Sequence, residues 1–142
     1  MKKFLFATHG TLAAGAKSTL ELLIGNVADI TCLTAYVNPD DNVDEQLKAY
    51  FSEVSDEDQV IVCTDLMGGS VNQEIVPYAQ KKNVFLIAGF NLPLLLELAM
   101  NEDKVTEEEL LDSIEESRKN MMLVRVEVTD SGTEKEEEEF LA

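Results

Sequence analysis

The chain has 142 residues, of which 28 are acidic and 11 basic, for a formal net charge of −17. That length suits a single domain, and an apolar share of 45% with only 3 prolines excludes a disordered chain, because enough side chains are available to bury. So acidic a composition also excludes nucleic acid and anionic membrane surfaces as partners, since both require a face rich in lysine and arginine.

In chain order, Lys3 to Thr8 (KFLFAT) has the pattern of a strand. Only four apolar residues follow Met1-Lys2-Lys3 before Thr8, too few for a signal-peptide core, so a cytoplasmic location is expected. Leu12 to Ile24 sets apolar residues at helical spacing, and Gly25-Asn26 ends it. Ile30 to Val37 is a second strand. The turn Asn38 to Asn42 leads into a helix over Val43 to Val54, with Val43, Leu47, Tyr50, Phe51 and Val54 on one face. Gln59 to Thr64 is a third strand. Beyond the loop that starts at Asp65, Ser70 is expected to cap a helix reaching about Lys82, with Pro77 as a kink or boundary. Asn83 to Ala88 is a fourth strand, followed after Gly89-Phe90-Asn91 by a helix from Leu92 with Pro93 in its first turn.

The stretch Val84 to Met100 is interrupted by Asn91, Pro93 and Glu97 and is too short to cross a bilayer, so no direct membrane insertion is expected. Thr106 opens an acidic helix running to about Asn120, with Glu109 at capping-box spacing. From Met121 to Val128 the period changes to alternation, which predicts a half-exposed strand. A domain over residues 1–128 therefore precedes an acidic tail over 129–142, predicted to be frayed. Cys32 and Cys63 fall within strand patterns and are expected to be reduced, buried thiols.

Four strands, each followed by a helix, imply an α/β fold: a doubly wound, mainly parallel sheet with right-handed crossovers. In a sheet of order 2-1-3-4 the first and third strands are neighbours across the point where strand order reverses, and chemistry in such folds collects beyond the carboxyl ends there. His9 ends the first strand and Asp65 follows the third, so the two would lie side by side. His9 is the only histidine, which removes a histidine-rich metal site; no metal and no cofactor are expected. A carboxylate on one ring nitrogen fixes the imidazole tautomer and leaves the other nitrogen as nucleophile or base. Gly68, Gly69 and Ser70, with Gly10 and Thr11 after His9, supply close backbone approach and donors suited to an anionic group such as phosphate. No nucleotide-binding signature accompanies them. Each feature alone also fits ordinary punctuation at a strand end; their convergence at one end of adjacent strands is what favours chemistry.

Three segments, Phe6-Ala7-Thr8-His9-Gly10, Thr64-Asp65-Leu66-Met67-Gly68-Gly69-Ser70 and Ile87 to Glu97 (IAGFNLPLLLE), resemble the signatures of the mannose-family enzyme IIA domain of the bacterial phosphoenolpyruvate-dependent sugar phosphotransferase system (PTS). The resemblance implies a homodimer in which the histidine matched by His9 takes a phosphoryl group from HPr and passes it to a IIB component that works with membrane IIC and IID. It matches Asp65 to the carboxylate beside that histidine and Ser70 to a hydroxyl next to the phosphoryl group. Met67 departs from the aromatic residue common in the family, and Val71 from a common proline. The family exchanges a C-terminal strand between protomers, and Met121 to Val128 is where an antiparallel strand of that kind would lie. A phosphoryl-accepting domain serving a dihydroxyacetone kinase, or a regulatory phosphohistidine module, is the alternative.

Overall fold

The computed structural model describes residues 1–35, 37–38 and 40–127. Four strands, β1 (Lys2–His9), β2 (Asp29–Ala35), β3 (Gln59–Thr64) and β4 (Val84–Ala88), form one sheet of order β2-β1-β3-β4, with every pairing parallel. The crossovers are α1 (Leu12–Ile24), α2 (Val43–Ser52) and α3 (Ser70–Ile75), and β4 continues into α4 (Leu92–Met100) and α5 (Glu107–Arg118). The expected doubly wound sheet and its strand order are observed.

Alternation along β1 sorts the core into two layers. Phe4 and Phe6 pack with Leu20 of α1, Leu94, Leu95 and Leu98 of α4, and Leu110 of α5. Leu5 and Ala7 point the other way, against Leu47 and Phe51 of α2 and Val71 and Ile75 of α3. All six residues of the central β3 are buried, as expected of a parallel strand covered on both faces. Val43, Leu47 and Phe51 form the buried face of α2, with Tyr50 and Val54 packed beside them.

Three helix ends follow their sequence cues closely. Asn42, Asn91 and Thr106 each accept the backbone N–H three residues on, from Glu45, Leu94 and Glu109. Gly25 ends α1 at φ 79°, a left-handed conformation that glycine enters at little cost.

Three expectations need correction. Ser70 is the first residue of α3 rather than its cap; Gly69 occupies the cap position and no side chain caps the helix. The helix expected to reach about Lys82 stops at Ile75, and a separate 3₁₀ turn covers Tyr78–Gln80 after Pro77. Proline has no N–H to donate and its ring crowds the preceding turn, so it marks a boundary here rather than a kink. Residues 121–127 belong to no strand, so within one chain they add no fifth, antiparallel member to the sheet. Val128 and the tail 129–142 lie outside the described residues. Met121, Met122, Leu123 and Val124 are all exposed.

Candidate functional site

His9 is the last residue of β1, in register with Ala35 of β2, and Asp65 follows directly on β3. The chain leaves β1 towards α1 and β2 on one side and leaves β3 towards α3 and β4 on the other. A gap therefore opens between the two loops, and both residues project into it from adjacent strand ends. Ladder bonds continue past the strands on both sides: Gly10 N–H donates to the Ala35 carbonyl at 3.0 Å, and Gly89 N–H to the Thr64 carbonyl at 2.9 Å. The sheet is thus rigid up to the residues that face the gap.

Asp65 grips His9 twice. Its Oδ2 accepts the His9 backbone N–H at 3.0 Å and also lies 3.0 Å from the ring Nδ1, with Oδ1 at 3.3 Å from the same nitrogen. Main-chain and side-chain contacts to one oxygen fix both the position of the residue and the rotation of its ring. Nδ1 facing a carboxylate carries the proton, which makes Nε2 the basic nitrogen of the neutral ring. Burial acts to raise the Asp65 pKa, but the hydrogen bonds from the His9 backbone and ring and the charge of His9 outweigh it, so the carboxyl lies below its ordinary 3.8. The Asp65 side chain is 14% exposed and that of His9 37%, so the carboxylate is held inside while the imidazole reaches solvent.

The remaining expected residues surround this pair unequally. Gly10 adopts φ 58° and Gly68 φ 78°, turns that a side chain would strain, and they redirect the chain after β1 and before α3. Gly69 faces the ring directly: a Cβ there would lie 3.4 Å from His9 Cε1. Thr11 sits at the start of α1, exposed and without a capping bond, and Ser70 is exposed at the start of α3. Leu66 and Met67 project at the rim, Met67 being 88% exposed. Beside Asp65 a cleft of about 410 Å³ runs between α1 and α4, walled by Leu12, Ala16, Phe90, Asn91 and Leu92. Phe90 stacks on the core residue Phe6 with ring centroids 6.2 Å apart, so this wall is anchored to the sheet.

Three site-supporting residues escape a reading of residue types alone. Thr8 and Thr64, which precede His9 and Asp65, are fully buried, and Thr64 Oγ1 donates to Asn72 Oδ1 at 3.0 Å. Asn91 caps α4 and also donates from Nδ2 to the Ser117 carbonyl at 2.7 Å, fastening the last turn of α5 beside the cleft. For the two threonines, position just before His9 and Asp65 was the available cue, and it does not specify a partner. Among the described residues no cluster of three or more histidine, cysteine or acidic side chains could hold a metal ion, and no helix is long and apolar enough to cross a membrane. Cys63 is buried and Cys32 half-buried, both as free thiols.

Such a site holds an oriented, solvent-reaching imidazole next to a glycine-lined loop, and known proteins share the arrangement's fold. Residues 3–115 match the EIIA-man family model, described as the PTS system fructose IIA component. A Klebsiella pneumoniae protein named as a candidate phosphoenolpyruvate-dependent sugar PTS permease superposes with a TM-score of 0.79 at 30% identity, over 86% of this chain and 90% of that one. The PTS IIA protein associated with the fucose utilization operon of Streptococcus pneumoniae gives a TM-score of 0.69 at 31% identity, over 88% and 93%. The mannose/sorbose-specific IIA subunit of Enterococcus faecalis shares the fold at 21% identity and a TM-score of 0.75, over 91% and 100%. No curated protein matches the chain. With four-fifths of its length inside the family model, the chain belongs to the mannose/fructose IIA family of the sugar phosphotransferase system and is a phosphotransfer component of that system.

Proposed function

We propose that His9 is the phosphoryl carrier of this IIA component, receiving the group from phospho-HPr and passing it to a mannose-type IIB that serves a IIC–IID membrane complex. The observation that carries this reading is the double contact of Asp65 with His9, through the backbone N–H and through Nδ1. In the first transfer Nε2 attacks phosphorus, the N–P bond to the donor histidine breaks, and that imidazole leaves with its electron pair. The His9 ring becomes positively charged while its Nδ1 proton stays hydrogen-bonded to Asp65, so the carboxylate stabilises the charge as it forms. The second transfer reverses these changes at His9. No proton has to leave Nδ1 in either direction.

Gly10, Thr11, Gly68, Gly69 and Ser70 form the wall against which the phosphoryl oxygens would lie. Gly69 supports this role best, because its missing side chain leaves the Cε1 edge of the ring open. No resident cofactor takes part. A cytoplasmic homodimer completes the reading. The outer edge of β4, with a groove of about 310 Å³ flanked by Leu110, Leu111 and Ile114 of α5, has the form to accept residues 121–128 of a second copy as an antiparallel strand. With phosphoenolpyruvate, enzyme I and HPr, the protein is expected to gain one acid-labile, base-stable phosphate, and His9→Gln none. Label retained by His9→Gln would overturn the assignment, and failure of a mannose-type IIB to discharge the wild-type protein would overturn the acceptor.

A further inference from the structure

His9 and Asp65 each follow a threonine, and both threonines are completely buried. A hydroxyl sealed from water has to find its partner inside the protein. Thr8 Oγ1 accepts the Ala13 N–H at 2.8 Å, tying the end of β1 to the first turn of α1. Thr64 Oγ1 donates to Asn72 Oδ1 at 3.0 Å, tying the end of β3 to the first turn of α3. These two helices are also the ones whose cap residues, Thr11 and Gly69, make no side-chain capping bond, whereas α2, α4 and α5 are capped by Asn42, Asn91 and Thr106. Where the chain passes the reactive pair, a strand hydroxyl beneath the loop thus does the fastening that a cap within the loop does elsewhere.

The consequence differs for the two sides of the pair. Between Asp65 and Gly69 the loop lies open to solvent, with Leu66 and Met67 exposed and Gly68 turning at positive φ. Thr64 is pinned by main chain and side chain together: its carbonyl accepts Gly89 N–H and its hydroxyl reaches Asn72 across the loop. Asp65, one residue further on, inherits that position. On the other side, Thr8 is the residue before His9, and its bond to Ala13 spans the Gly10-Thr11 turn.

We propose that Thr8 and Thr64, acting through Ala13 and Asn72, are positioning residues for phosphoryl transfer. They hold the two strand ends so that the His9 ring meets the Asp65 carboxylate in one orientation, with the loops above left uncapped. The proposal rests on the reading of His9 as the phosphoryl carrier. Its range of effect follows from the geometry, because a displacement of about 1 Å in a reacting group costs on the order of a hundredfold in rate and partial relaxation correspondingly less.

The test compares Thr64→Val, which keeps shape and deletes the hydroxyl, with Thr64→Ser, which keeps the hydroxyl, and with Asn72→Ala, which removes the acceptor. Thr8→Val and Thr8→Ser form the matching pair. Each is measured for thermal stability, for the initial rate of phosphorylation by phospho-HPr, and for the ¹⁵N shifts of the His9 ring. Thr64→Val, Asn72→Ala and Thr8→Val are expected to lose about tenfold in rate and to shift the His9 nitrogens towards a tautomer mixture. Both serine variants should stay within about twofold of wild type, and Thr64→Val combined with Asn72→Ala should be no slower than either alone. Unchanged ¹⁵N shifts in folded Thr64→Val and Thr8→Val, or serine variants as impaired as the valines, would overturn the proposal. Should Thr64→Val not fold, Asn72→Ala, at a half-buried position, decides the Thr64 arm. If wild type accepts no phosphoryl group, the carrier reading fails while the ring shifts still show whether the threonines set the state of His9.

Discussion

Replacing Asp65 by Asn isolates the charge of the site from its shape. The amide fits the same space and keeps one oxygen to accept the His9 backbone N–H or Nδ1, but it carries no negative charge and can turn its NH₂ towards Nδ1. In that orientation Nδ1 accepts, the ring proton moves to Nε2, and the nucleophilic nitrogen is blocked. Two unit charges about 4 Å apart at an effective dielectric near 20 interact by about 4 kcal/mol. The His9 side chain is 37% exposed, so solvent screening roughly halves that figure. A loss of about 2 kcal/mol from the transition state slows phosphorylation by phospho-HPr about 30-fold.

The same charge appears in stability. Because the folded pKa of Asp65 is depressed, its contribution is fully present above its ordinary value of 3.8 and is lost as pH falls through the lower folded value. The stability difference between wild type and Asp65→Asn should therefore shrink below about pH 4. Stopped-flow or quenched-flow phosphorylation at saturating phospho-HPr, with thermal unfolding from pH 3 to 7, measures both. A folded Asp65→Asn variant that transfers within twofold of wild type would refute the coupling between this carboxylate and the His9 ring.

Gly69→Ala should fold normally, because Gly69 has φ −73° and the new Cβ meets His9 Cε1 at ordinary contact distance, whereas Gly69→Val should displace the ring and slow transfer at least tenfold with little change in melting temperature; steady-state phosphorylation rates distinguish the two. Lys2 Nζ donates to the carbonyls of Leu98, Asn101 and Asp103 where α4 ends, so Lys2→Met should lower stability by about 1 kcal/mol in thermal unfolding and leave the transfer rate unchanged. The proposed homodimer makes a further prediction: the full chain should sediment as a dimer and a chain lacking residues 121–142 as a monomer, with the β1–β4 sheet intact by circular dichroism.

Much of the fold was legible because each helix or strand obeys its own period. Phe4 and Phe6 against Leu5 and Ala7 announce a strand covered on both faces, and Val43, Leu47 and Phe51 announce the helix that covers one of them. The pair His9 and Asp65 was legible for a topological reason: both residues follow strands that become neighbours once the order is β2-β1-β3-β4. Local signals failed where two of them competed. Ser70 has a capping side chain, yet the extended backbone falls at Gly69 and the cap position goes with it. Asn72 looked like an ordinary helical polar residue. Its role depends on a hydroxyl eight positions away whose burial exists only in the folded sheet. The alternation from Met121 onward is real in the sequence, but a strand is made by pairing rather than by pattern, and residues 121–127 join no strand of their own chain.

A net charge of −17 is unexpected in a phosphotransfer component, whose cargo bears nearly two negative charges. The distribution resolves this. Residues 40–58, 101–118 and 130–142 hold 22 of the 28 acidic side chains and 4 of the 11 basic ones, so the remainder of the chain, which contains every strand end at the site, has a net charge of +1. Several of the acids in the first two segments are also spent locally, Asp44 on Lys48, Glu115 on Arg118 and Asp58 on Lys3 and the chain start. Ionic screening over about 8 Å weakens the rest before they reach an incoming phosphate. Asp65 contacts His9 at Nδ1, so in the proposed transfer its charge faces the Nδ1 proton rather than the phosphorus. Under the proposed role of His9, the acidic segments therefore bear on which protein surfaces approach and how fast, while the transfer itself depends on one carboxylate placed behind the ring.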